Sequence, residues 1–203
     1  MTIRLPKAAA ALAVLLALAA PAIAQEAAPS DWAHAEPEAT IKRWSWLGGT
    51  IWIVPHANLP AVMTEADSKA VVQLIDQTVY SIDRYEHGYF WGTVRAQLMP
   101  ASTKTPAPPD SSPTCMRLVG SVTPEGTLNM SFTPVDDTGD RTTGVGFMRK
   151  KGGEWTMELQ MTTGTTAQVT HWAYMEACPK RGPCSLPAIR GTAQRFLAAC
   201  EKS

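Results

Sequence analysis

Between Trp46 and Met175, apolar and polar residues alternate with a period close to two, the pattern of strands with one buried face. The alternation is clean at residues 127–134, where Leu128, Met130 and Phe132 interleave with Thr127, Asn129, Ser131 and Thr133. It is as clean at residues 154–162, where Trp155, Met157, Leu159 and Met161 oppose Glu154, Thr156, Glu158 and Gln160. Residues 89–98 place Phe90, Gly92, Val94, Ala96 and Leu98 on one face, and Tyr89, Trp91, Thr93, Arg95 and Gln97 on the other. Further β-rich runs lie at residues 50–54, 71–84, 115–122, 143–150 and 165–175. In residues 71–84 the alternation is blurred by many β-branched side chains.

The separators decide how these runs connect. Glu86-His87-Gly88, residues 123–126, residues 150–153 and Thr163-Gly164 are short and carry glycine. Such links make antiparallel hairpins and leave no length for a helical crossover. The expected fold is therefore mainly β: an eight-stranded antiparallel up-and-down barrel, or a sandwich, over residues 46–176. Closure removes exposed edges and favours the barrel. Three links are longer. Residues 55–69 are expected to hold a helical turn around 61–66. Residues 99–114, rich in Pro, Ser and Thr, read as an exposed mobile loop, and residues 135–141 as an acidic turn. Residues 186–200 form the late helix candidate, with Ala193, Phe196 and Leu197 as its apolar stripe.

The N-terminus follows a different pattern. Arg4 and Lys7 precede an uninterrupted run of Ala, Leu and Val from Ala8 to Ala20. Pro21 then breaks the run, and Ala22-Ile23-Ala24 offers small residues for cleavage. This is the layout of a secretory signal over residues 1–24, cut before Gln25. The run is too short for a membrane span, and no transmembrane segment is expected in the mature chain. Residues 25–45, polar with Pro29 and Pro37, read as a flexible N-terminal arm.

Cleavage alters the composition. The precursor balances 18 Lys and Arg against 18 Asp and Glu. Removing 24 of 203 residues leaves 179, with 16 basic against 18 acidic side chains. No basic excess exists to neutralise phosphates, so no nucleic-acid partner is expected. An exported chain with an even number of cysteines suggests disulfides, and Cys115, Cys178, Cys184 and Cys200 allow three connectivities. The short loop with Gly182-Pro183 makes a Cys178–Cys184 bridge easy, and Cys115 would then pair with Cys200. The bridges and the segment that carries them occupy residues 177–203.

Chemistry-bearing motifs are sparse. There is no G-x-S-x-G elbow, Walker A loop or zinc-like Cys/His spacing, so no cofactor and no metal is expected. Gly144 and Gly146 lack the third glycine of a dinucleotide loop and read as a bend in a barrel strand. No nucleophile–base–orienter set supports catalysis. His171 shares a strand face with Val169, Ala173 and Met175. Methionines recur on apolar faces, where Met fills cores or lines adaptable binding surfaces. Seven of the chain's aromatics are Trp; Trp155 reads as core, whereas Trp91 and Trp172 fall on mixed polar faces.

The layout resembles the calycin group of lipocalin-like and avidin-like secreted barrels. Gly49-Thr50-Ile51-Trp52 stands where those families carry Gly-x-Trp, with one extra residue. Residues 160–166 with Trp172 are similar to the last hairpin of avidin-like proteins. A bridge from Cys115 to Cys200 is similar to a lipocalin bridge from mid-barrel to the C-terminal segment. The resemblance implies a barrel with a helix after it; it transfers no site residue and does not imply biotin binding.

These observations favour an exported, non-enzymatic barrel that binds a small apolar or amphipathic ligand. Trp52, Trp155, Met157, Met161 and His171 are the candidate ligand-binding residues, with residues 55–69 near a mouth. The alternatives are a periplasmic interaction or inhibitor module, binding an envelope protein through residues 25–45 and 99–114, and a structural envelope protein.

Overall fold

The computed structural model describes residues 42–57, 60–65, 69–107, 113–136, 139–164 and 167–202, with backbone alone at 60, 65, 167–169, 171 and 202. The expected signal and all but the last residues of the arm lie outside the described residues.

Nine strands form one antiparallel sheet: β1 (Thr50–Ile53), β2 (Pro60–Glu65), β3 (Val71–Glu86), β4 (Tyr89–Pro100), β5 (Thr114–Val122), β6 (Thr127–Pro134), β7 (Thr142–Lys151), β8 (Glu154–Thr163) and β9 (Ala167–Ala177). Consecutive strands from β3 to β9 pair antiparallel; short Gly-bearing links join β3–β4, β5–β6, β7–β8 and β8–β9, and longer links join β4 to β5 and β6 to β7. Strands β1 and β2 close the ring together. Both run antiparallel to β3, β1 along Val79–Ile82 and β2 along Val71–Ile75. Both also reach β9, β1 at Glu176–Ala177 and β2 between Ala167 and His171. The nine strands therefore make a closed eight-stranded barrel in which one stave is built of two short pieces.

The second piece corrects the expected helical turn around residues 61–66: Pro60–Glu65 is a strand. Its local sequence carries no period-2 signal, but β3 and β9 leave a gap whose backbone groups must be paired. Between the pieces, the Val54 amide donates to the Thr78 carbonyl (3.2 Å), and the Gln77 side-chain amide donates to the Val54 carbonyl (3.3 Å).

The inner face carries the main core: Trp52, Tyr80, Ile82, Phe90, Val94, Leu118, Leu128, Met130, Phe132, Met157, Leu159 and Met175, among others. Two glycines let strands approach closely. A β-carbon at Gly92 would stand 1.8 Å from the Ser81 carbonyl oxygen, and one at Gly146 1.9 Å from that of Glu158. Gly146 is thus a site of close backbone contact, as its place in a barrel strand suggests.

The outer face of β3 is buried too, which explains its blurred alternation. Ile75, Val79 and Met99 are covered by Leu186, Ala188, Ile189, Ala193 and Phe196 of the C-terminal segment. Gln77 stitches the two layers, accepting from the Ala188 amide at 3.0 Å. The segment ends in a short helix, α1 (Ala193–Leu197), and a 3-10 turn (Ala198–Lys202). The expected helix over residues 186–200 is thus only its last part. Residues 184–192 instead fold back as a bent loop, with Ser185 bridged to Thr192 and the Leu186 amide donating to the Gly191 carbonyl at 3.1 Å, and this loop lies against β3 and contacts Ala107. The Ala107 amide donates to the Ala188 carbonyl, and the Arg190 amide donates to the Ala107 carbonyl. This docks residues 101–107, part of the segment expected to be a mobile loop.

Two disulfides tie this layer down. Cys115 pairs with Cys200 (Cα–Cα 5.6 Å) and Cys178 with Cys184 (5.5 Å). Beside the first, Arg95 lies opposite Cys115 in the ladder, donates to the Phe196 carbonyl and covers the Phe196 ring at 4.3 Å.

Candidate functional site

The barrel interior is filled at one end and open at the other, and side-chain size decides which. At the end carrying the β3–β4, β5–β6 and β7–β8 turns, Trp44, Leu47, Trp52 and Met148 are buried and Trp46 and Trp155 pack against them. The Trp44 ring meets Trp155 edge-on at 4.8 Å, and its indole N–H donates to the Thr123 carbonyl at 2.8 Å. Trp52 donates to the Thr50 hydroxyl at 2.8 Å. Large rings with satisfied N–H groups make a dry plug.

Toward the other end, the inward positions carry short side chains. Thr78, Ala96 and Thr114 stand opposite one another across β3, β4 and β5, and Thr142 and Thr163 across β7 and β8. Threonine and alanine are too short to meet across the barrel. The result is a cup of about 280 Å³. Its deeper wall is Tyr80, Val94, Met116, Phe132 and Met161; nearer the mouth come Leu98, Pro134 and Asp140. The Tyr80 hydroxyl donates to the Met161 sulfur at 3.1 Å, and its ring lies 5.4 Å from that of Phe132.

One carboxylate of the cup is fully buried. Asp76 lines the wall at 0% exposure and accepts a 2.6 Å hydrogen bond from the Thr78 hydroxyl. Burial, and then the neighbouring Asp76 charge, push the Tyr80 phenol well above its ordinary pKa. The Thr142 and Thr163 hydroxyls bond each other. Among the described residues lining the cup, the charged ones are Asp76 and Asp140, and none is Lys, Arg or His.

A second, wider concavity of about 680 Å³ lies at the plugged end, between Trp46, Trp155, Tyr174 and the chain around Cys178. Its walls mix aromatic rings with Lys151, Lys180, Glu154 and Glu176. The Lys151 ammonium sits over the Tyr174 ring at 4.7 Å. Among the described residues no group of three or more His, Cys, Asp or Glu gathers as a metal site.

The five residues singled out from sequence are not brought together. Met161 lines the cup. Trp52 and Met157 are fully buried in the plugged half. Trp155 lines the second concavity. His171 stands opposite Met161 and Ala61 in the ladder, and its side chain lies outside the described residues. Asp76, Thr78 and Tyr80 were the residues that pattern reading passed over. Their signal was present in period two: Asp76, Thr78, Tyr80 and Ile82 share one face of β3, and an aspartate on the face of Tyr80 and Ile82 is out of place unless it has work there.

No protein-family model matches the chain, and no curated protein or solved structure matches it. The topology of the barrel is consistent with a calycin-like fold.

Proposed function

We propose that the protein is an exported, non-enzymatic barrel that takes a small amphipathic molecule into the cup. The observation that carries this reading is the half-filled interior: apolar walls with a few hydroxyls and a carboxylate, in a space at the lower edge of the roughly 300–1,000 Å³ usual for ligand sites. Export is supported by the signal-like N-terminus and by two disulfides, which persist in oxidising compartments. Among the described residues no helix is long and apolar enough to cross a membrane. The interaction-module reading has less support at residues 99–114, because Ala107 is buried and bonded to the C-terminal segment.

The test uses purified protein and the neutral fluorophore N-phenyl-1-naphthylamine, with native mass spectrometry in parallel. Wild type should enhance the fluorescence saturably. Ala96→Trp, which fills the cup, should abolish the effect, and Phe147→Ser on the exposed outer face should leave it unchanged. Equal binding by Ala96→Trp, or no binding by wild type, would overturn the reading.

A further inference from the structure

Beyond the cup, we infer that the concavity at the plugged end is a second site, and that it takes a neutral saccharide: a short oligosaccharide, or the end of a longer one, seated against Trp46 and Trp155. Two kinds of indole ring meet at this end of the barrel. Trp44 and Trp52 use their N–H groups inside the protein, on the Thr123 carbonyl and the Thr50 hydroxyl. Trp46 and Trp155 are half-buried, stand with ring centroids 6.3 Å apart and planes inclined by 28°, and both line the concavity. Neither of their N–H groups has a hydrogen-bond partner among the described residues. A ring with an apolar face and an unused donor edge, set in a cleft, offers both to a ligand.

The other groups of the concavity narrow the class. Glu154 and Glu176 are acceptors, and Lys151 and Lys180 are donors; all four are exposed, and none forms an ion pair among the described residues. An aromatic hydrocarbon would use the rings and leave these polar groups without partners. A simple anion would pair with the lysines but meet two carboxylates, and a simple cation would meet two ammoniums. A saccharide presents C–H faces to the rings, and its hydroxyls donate to carboxylates and accept from ammonium and indole N–H groups. It therefore uses every kind of group present. Lys150 and Lys151 rest over the Trp155 and Tyr174 rings at 5.4 and 4.7 Å. Such contacts are weak at exposed sites, so the lysines can swing aside. One wall is already fixed. The Cys178 amide donates to the Ile51 carbonyl at 2.7 Å, and the Cys178–Cys184 bridge holds the chain that carries Pro179 and Lys180. A preformed wall lowers the ordering cost of binding. At about 680 Å³ the space falls inside the roughly 300–1,000 Å³ usual for ligand sites.

The experiment follows the Trp indole N–H signals of isotope-labelled protein by NMR during titration with maltotriose, cellotriose and triacetylchitotriose, with glycerophosphocholine as a zwitterion that lacks a sugar ring. At least one trisaccharide should shift the Trp46 and Trp155 signals saturably, while that of Trp91 on β4 stays in place. Glu176→Ala, at an exposed position, should weaken that saccharide about 10-fold, the loss of one charge-assisted hydrogen bond. Trp155→Ala should abolish the response. Should Trp155→Ala fail to fold, the location of the wild-type shifts and the Glu176→Ala ratio decide. Bound N-phenyl-1-naphthylamine should not be displaced by the saccharide, so the cup and this site fail or stand separately. No response to any of the three saccharides, tighter binding of glycerophosphocholine, an unchanged affinity in Glu176→Ala, or displacement of the fluorophore would overturn the proposal.

Discussion

The two disulfides close loops of very different size, and that difference sets a quantitative expectation. Cys115 and Cys200 are 85 residues apart in sequence, whereas Cys178 and Cys184 are 6 apart. In the chain-entropy account, removing the long bridge destabilises the fold by about 4–5 kcal/mol and removing the short one by about 2 kcal/mol. For a domain of this size each kcal/mol moves Tm by roughly 2–4 °C, so Cys115→Ala with Cys200→Ala should lower Tm by roughly 8–20 °C, against roughly 4–8 °C for Cys178→Ala with Cys184→Ala. The structure adds where the loss begins. The long bridge holds the layer that covers Ile75, Val79 and Met99, with Arg95 and Phe196 as its neighbouring anchor. Without it, the C-terminal segment should become the first site of limited proteolysis, while β5 to β8 stay protected. Guanidinium unfolding followed by Trp fluorescence, with thermal scans of the same variants, measures both losses. A long-bridge variant as stable as the short-bridge variant would refute the reasoning.

Other expectations are as direct. Gly146→Ala puts a β-carbon 1.9 Å from the Glu158 carbonyl oxygen and should destabilise by more than about 3 kcal/mol, whereas Gly144→Ala meets side chains alone, Met161 at 3.3 Å and the Phe132 ring at 3.4 Å, and should cost about 1 kcal/mol in denaturant titrations. Gln77→Leu leaves the Ala188 amide without its buried acceptor, and Val54 loses a donor; a loss of about 2–4 kcal/mol is expected, and a neutral result would deny the stitching role. Tyr80 titrates higher in the folded state than in the unfolded state, where its pKa is about 10. Its contribution to stability is therefore complete below that pH and is lost as pH rises above it. Tyr80→Phe should move the midpoint of alkaline unfolding to higher pH, read by circular dichroism, and an unchanged midpoint would count against the buried phenol.

Much of this architecture was legible in the chain because its cause is local. Leu128, Met130 and Phe132 alternate with polar neighbours, so one face of β6 had to be core. Four short glycine-bearing links marked tight hairpins, and eight strands in meander order favour closure. The order of the cysteines and the Gly182-Pro183 turn led to the pairing observed. What crossed long distances was not legible. β2 exists because β3 and β9 leave backbone groups to be paired, not because Pro60–Glu65 asks to be a strand. Residues 184–192 fold back as a loop rather than a helix, with Leu186, Ala188 and Ile189 covering the outer face of β3.

The site divides the same way. Alternation could place Met157 and Met161 on one inward face, but not tell that Met157 meets the packed core of the plugged end while Met161 meets an open space. That depends on whether the side chains on the far wall are long enough to reach across, a sum over strands distant in sequence. The sequence by itself determined strands, hairpins, a barrel and its bridges, since period, turn chemistry and loop length are properties of neighbours along the chain. Only the tertiary structure decided which half of the barrel is hollow and that Asp76 faces it, because empty space belongs to no residue and arises where opposite walls fail to meet.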